Sequence, residues 1–103
     1  MNSYAAPVVC VGASLVDITF RCEKDPILHT SNPSLMQKSP GGVVRNIAHH
    51  LALLGVKTEL LTVIGEDPDG DWLLSQCLQA GIGLQHVKRT LVNTGTFASI
   101  TSP

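Results

Sequence analysis

Ser39-Pro40-Gly41-Gly42-Val43-Val44-Arg45-Asn46-Ile47-Ala48 is the stretch that decides the fold. Its Pro-Gly-Gly turn runs straight into a helix, and Asn46 sits one turn inside. Two adjacent glycines let bare backbone approach a ligand, because neither carries a Cβ. The helix that follows presents free N–H groups and the positive end of its dipole toward the turn. Asn46 adds a neutral donor and acceptor at the same place. That combination suits a small polyhydroxylated ligand, or a phosphate developing beside it.

Working outward, the helix spans about residues 42–54, with Val43, Ile47, Leu51 and Leu54 at the spacing of one face and Gly55 as its stop. Residues 59–64 read as a buried strand. Asp67 then caps a second helix with Pro68 at its first position, and Asp69 and Asp71 favour its positive end. That helix is expected to bury Leu73, Leu74, Cys77 and Leu78 and to stop at Gly81. Upstream, Val8 to Val11 is a short apolar run suited to a parallel strand, and a further strand is expected near 84–88. Strands alternating with helices imply βαβ units and an α/β fold around a parallel sheet. Residues 18–22, 35–38 and 96–101 also read as strands, but they are too polar to lie inside that sheet.

Asp17 is the second candidate site residue. It follows the first strand at the carboxyl end of the sheet, where open α/β folds bind ligands, and a carboxylate there accepts hydrogen bonds from vicinal hydroxyls. Capping a turn is the alternative role for such a residue. Arg45 either reaches phosphate or base edges from the first helical turn or lies on a solvated face. Lys38 is a weaker candidate of the same kind.

Composition narrows the classes. The 103 residues are 44% hydrophobic and 15% charged with a formal net charge of −1, which leaves no basic footprint for nucleic acid and no polybasic membrane anchor. No apolar run approaches bilayer length, and the opening residues lack the basic and apolar regions of a signal peptide. Cys10, Cys22 and Cys77 are odd in number and scattered, which fits reduced thiols in a cytoplasmic protein. His49 and His50 point about 100° apart on a helix and do not share a metal. Asp67-Pro68-Asp69-Gly70-Asp71 misplaces the glycine of a calcium loop, and Leu78 stands where its bidentate Glu belongs. No Walker or G-x-G-x-x-G loop occurs.

Gly41, Gly42, Asn46, Ala48, Gly55 and Gly65 together resemble the first signature of the PfkB family of carbohydrate and nucleoside kinases, which have the ribokinase-like fold. Within that family, Ser31-Asn32-Pro33, Pro40 to Val43, Arg45 to Ala48 and Leu51 to Gly55 are most similar to pseudouridine kinases. The resemblance runs from Val8 to Ser102 and covers the opening third or so of a family member. It implies that residues 1–103 are the N-terminal part of a ribokinase-like kinase domain, a partial Rossmann-like parallel sheet with helices. The strands at about 17–39 and 96–102 would be a small β lid that often also serves as a dimer interface. It further implies that Asp17, Gly41, Gly42 and Asn46 hold the sugar, with Arg45, Thr96 and Ser99 as positional suggestions.

Two departures stand out. Val44 replaces the usual small residue and turns either into the substrate pocket or into the core. Leu15 replaces an Asn two residues before Asp17, which removes one polar contact to the sugar, and the neighbouring Ser14 points to the other face.

The family's catalytic Asp, its backbone anion hole and its ATP pocket come from a Gly-Ala-Gly-Asp region that this sequence does not contain. The expectation is therefore the sugar side of an enzyme that, when complete, uses MgATP, while this portion alone binds no cofactor and does not catalyse. Nucleoside, ribose and hexose remain open as substrates. The alternative is a truncated, non-catalytic interaction protein that pairs with itself or with a full-length kinase through open lid edges.

Overall fold

The computed structural model describes residues 6–103; the reading of residues 1–5 as free of a signal peptide lies outside them. In chain order the elements are β1 (Val8–Val11), β2 (Leu15–Cys22), β3 (Ser34–Gly41), α1 (Val43–Leu53), β4 (Thr58–Leu61), β5 (Val63–Gly65), α2 (Pro68–Gln79), β6 (Lys88–Thr90) and β7 (Gly95–Thr101). β1 pairs in parallel with β4, and β5 pairs in parallel with β6. A parallel bridge from Glu59 to Gly83 links β4 to the chain ahead of β6. These short parallel strands carry the expected α/β architecture.

The polar strands form a separate sheet in the order β3-β2-β7, with β3 antiparallel and β7 parallel to the central β2. This outer sheet stretches the molecule to 58 × 31 × 18 Å. The radius of gyration is 16.5 Å, against about 13 Å for a compact chain of this length.

Two small cores hold the parts together. Cys10, Ala48, Leu60, Cys77 and Ile82 pack between α1, α2 and the β1/β4 pair. Val16, Ile64 and Leu73 join the base of β2 to β5 and α2, with Trp72 and Val87 beside them. Cys10, Cys22 and Cys77 are all free and buried, as small core residues.

Several boundaries differ from the sequence expectation. β3 runs on through Pro40 and Gly41, so only Gly42 is left to turn the chain. Pro40 is tolerated because β3 is an edge strand with β2 on one side only. β2 begins at Leu15, which places Asp17 within the strand. The expected single strand 59–64 divides at Thr62, which lies between β4 and β5. The strand expected at 84–88 lies at 88–90, because Val87 N–H closes a turn onto Leu84 O.

The largest difference concerns α1. Val43 and Leu54 are 78% and 79% exposed, and Ile47 is exposed too, while Ala48 and Arg45 are the buried residues of the helix. The helix seats Ala48 and Ala52 on the sheet, with Val44 and Leu51 packed beside them, and turns Val43, Ile47 and Leu54 outward. In α2, likewise, Leu78 is exposed while Leu73 and Cys77 are buried.

Candidate functional site

The start of α1 is held by two contacts that require glycine and by the first helical hydrogen bond. Gly42 is the N-cap, at φ 100°, and a Cβ there would lie 2.3 Å from Ala13 O. A Cβ on Gly12 would lie 2.5 Å from a Val44 methyl, so Val44 turns into the packing against the β1–β2 connection. The first helical hydrogen bond, from Asn46 N–H to Gly42 O, spans 2.9 Å. No side chain caps this helix, and its first turn contains no acidic residue. Its leading N–H groups are therefore open at the carboxyl end of β1.

Gly41 brings Asp17 to the same place. A Cβ at Gly41 would lie 2.5 Å from Asp17 Oδ1, so the carboxylate occupies the space that a side chain would need. The β2–β3 register pairs Leu15 with Gly41 and Asp17 with Ser39, which puts all four on one face of the outer sheet. The β2–β7 register puts Phe97 directly opposite Asp17 on that face. Ser99 lies further along it and donates to Thr19 Oγ1 at 3.3 Å.

Thr96 pairs with Val16 and therefore shares the opposite face, which packs toward α2. The structure thus brings Asp17, Gly41 and Gly42 together, sets Asn46 one turn beyond, and leaves Thr96 out of the group. Phe97 is the residue that sequence reasoning missed; the alternation Gly95, Phe97, Ser99 was the available signal. Leu15 is half-buried on Asp17's face, and the hydroxyl of Ser14 is buried without a hydrogen-bond partner among the described residues.

Arg45 does not lie on a solvated surface: it is only 4% exposed. Its Nη2 donates to Asn46 Oδ1. Its guanidinium sits beside the Cys77 thiol without making a well-formed hydrogen bond to it; burial pushes that thiol up and the Arg45 charge opposes the shift. Lys38 is on the α2 side of the sheet, 3.1 Å from Asp69 Oδ1 and 4.4 Å above the Trp72 ring, away from Asp17. The rings of His49 and His50 are 5.9 Å apart and tilted, and no metal-ligating cluster occurs among the described residues.

The acidic stretch at the start of α2 is structural. Asp67 Oδ1 accepts from Gly70 N–H at 2.7 Å and from the Thr94 hydroxyl at 2.6 Å, and Oδ2 accepts from Thr94 N–H at 2.7 Å. The Thr94 hydroxyl, then the Thr94 and Gly70 amides, hold the Asp67 carboxyl below the ordinary carboxylate range. Thr94 also accepts from Gly65 N–H at 3.0 Å, where a glycine Cβ would strike the Thr94 amide at 2.5 Å. Arg89 completes the clasp by donating to Gly65 O and to Asp71.

Asn32 is structural as well: it accepts from Ile27 N–H at 2.8 Å and donates to Ile27 O at 2.9 Å, stapling the β2–β3 loop. A cavity of about 540 Å³ lies under that loop, lined by Phe20, Cys22, Ile27, Leu28 and Ile100, on the face of the sheet opposite Asp17.

This α/β arrangement of short parallel strands with an outer sheet is shared with ribokinase-like carbohydrate kinases. Ribokinase from Thermotoga maritima superposes with a TM-score of 0.79 at 26% identity, covering 92% of this chain and 32% of that one. Fructokinase with bound ATP from Xylella fastidiosa gives 0.75 at 25% identity, covering 89% of this chain and 28% of that one. The sequence profile of the pfkB family carbohydrate kinases matches residues 5–103, and the chain belongs to that family.

Pseudouridine kinase of Escherichia coli is 37% identical over 97 residues, which covers 90% of this chain and 30% of the relative. The chain thus spans less than a third of that relative's length. No helix among the described residues is long and apolar enough to cross a membrane.

Proposed function

We propose that this chain is the sugar-binding part of a cytoplasmic kinase that transfers the γ-phosphoryl of MgATP to the 5′-hydroxyl of pseudouridine. The observation that carries this reading is Asp17 pressed against Gly41 beside the uncapped start of α1. Asp17 accepts hydrogen bonds from the vicinal ribose hydroxyls, while Gly41 and Gly42 let the sugar approach the backbone. Asn46 adds a side-chain hydrogen bond from one turn further on. Phe97, 60% exposed and opposite Asp17, offers an aromatic face for the base of a nucleoside, which a free sugar would not use. The relative named pseudouridine kinase supports the same choice.

In the reaction the 5′-oxygen forms a bond to the γ-phosphorus, the bond from that phosphorus to the β–γ bridging oxygen breaks, and ADP leaves. The base that takes the hydroxyl proton and the nucleotide pocket belong to parts of the kinase outside this chain. The outer sheet serves as a lid over the nucleoside. The exposed branched face of α1 and the exposed valines of β1 fit a segment that packs against further structure.

A second reading draws on the outer sheet itself. Leu35, Met36, Phe97 and Ile100 are exposed on it, and β3 and β7 are its open edges, a surface suited to pairing with another copy or with a full-length kinase.

The test is phosphorylation of pseudouridine, ribose and fructose by the intact protein that carries this segment. Selective formation of pseudouridine 5′-phosphate supports the first reading, and preference for ribose or fructose overturns the substrate assignment. Dimerisation with no turnover of any of the three favours the second.

A further inference from the structure

Arg45 is the third residue of α1, yet it is turned into the interior, where a guanidinium ordinarily has a carboxylate beside it. The three ion pairs among the described residues are Lys38–Asp69, His86–Glu59 and Arg89–Asp71, and none involves Arg45. Its Nε and Nη1 are buried without hydrogen-bond partners among those residues, and only Nη2 is used, donating to Asn46 Oδ1. The neighbouring Ala48 and Cys77 are small and fully buried, so an apolar side chain at position 45 would suit the packing better. A charge kept at such a position calls for a role other than stability.

We propose that Arg45 is a positioning residue that fixes the carboxamide of Asn46. A guanidinium only donates, so it accepts one end of the amide and rejects the other. With Oδ1 committed to Arg45, the end that Asn46 offers the ligand is Nδ2, a donor. Asp17 accepts and Asn46 donates, and this polarity matches a hydroxylated ring whose oxygens offer both an O–H and lone pairs. The assignment rests on the sugar-site reading above.

The experiment uses the intact protein that carries this segment. In Asn46→Asp the introduced carboxylate accepts from Arg45 in place of the amide oxygen, so the fold is retained, but the donor is gone. We expect an unchanged or higher melting temperature together with a KM for pseudouridine raised about tenfold or more. A wild-type KM in Asn46→Asp overturns the proposal, because an acceptor would then serve as well as a donor.

Arg45→Met is expected to raise KM more than it changes kcat, and Arg45→Lys, which still donates, to recover part of the loss. The Asn46 side-chain amide is followed directly by ¹⁵N NMR. Its two proton resonances should be distinct and slowly exchanging in the wild type and should shift and exchange faster in Arg45→Met. Unchanged resonances in that variant overturn the proposal. If the wild type does not phosphorylate pseudouridine, the substrate reading fails, and the amide resonances still decide whether Arg45 holds Asn46.

Discussion

The two helices begin in opposite ways. α2 starts with Asp67 bonded to Gly70 N–H, Pro68 at its first position, and Asp69 and Asp71 in its first turn. α1 starts at Gly42 with no side-chain cap and no acid in its first turn, and it is approached by the carboxylate of Asp17, which Gly41 admits. The first of these starts has Gly70 N–H capped by Asp67, whose carboxylate Thr94 holds in place, and Pro68 brings no N–H to it. The second keeps its N–H groups open in a niche cleared of Cβ atoms. Unsatisfied polar groups surrounded by required glycines set the start that we propose for binding apart from the structural one.

Gly42→Ala should break the open start most severely. The positive φ and the approach of Ala13 O to 2.3 Å together cost about 3 kcal/mol or more in a denaturant titration. Asp17→Asn should leave stability within about 0.5 kcal/mol and weaken pseudouridine binding by about 1.5–3 kcal/mol, the range for a hydrogen bond to a charged group, as read by calorimetry.

Thr94→Val tests the closed start. It leaves Gly65 N–H without its acceptor, and we expect a loss of about 1–3 kcal/mol in stability with nucleoside affinity little changed.

The pH dependence of the closed start has a definite sign. The folded-state pKa of Asp67 lies below its ordinary 3.8, so its contribution is fully present above that value and is lost as pH falls through the lower folded-state value. The melting temperature should therefore be insensitive to Asp67 near neutrality. Below pH 3.8 it should fall, and Asp67→Asn should flatten that decline.

The smallest effect sharpens the contrast. Val43→Asp gives α1 the acid it lacks and should stabilise the helix by about 0.3–1 kcal/mol, while repelling phosphate and weakening catalysis. A gain in both stability and activity would show that the open start has no functional reason to stay open.

The local cap of the closed start was legible in the sequence, because Asp67, Pro68, Asp69 and Asp71 act within one turn of chain. The bonds linking Thr94 to Asp67 and Gly65 span 27 and 29 residues and were not. The open start was legible in part. The glycines announced a close approach, but the group that approaches Gly41 depends on the β2–β3 register, which no local pattern encodes. The alternation of Gly95, Phe97 and Ser99 gave Phe97 a shared face with them, but its place opposite Asp17 is set by pairing with β2.

The burial of Arg45 ran against the pattern. Val43, Ile47, Leu51 and Leu54 share helical spacing and look like a core stripe, yet only Leu51 of the four packs inward, because the sheet receives the side bearing Ala48 and Ala52, and Arg45 travels with it. α1 has apolar residues on two sides, and periodicity alone does not say which one meets this sheet.

The most direct measurement is hydrogen exchange of the intact protein with and without pseudouridine. Slowed exchange of the amides at 41–46, with those at 67–71 unchanged, is the expected result. Equal protection at both helix starts, or none at 41–46, would contradict a sugar site at the start of α1.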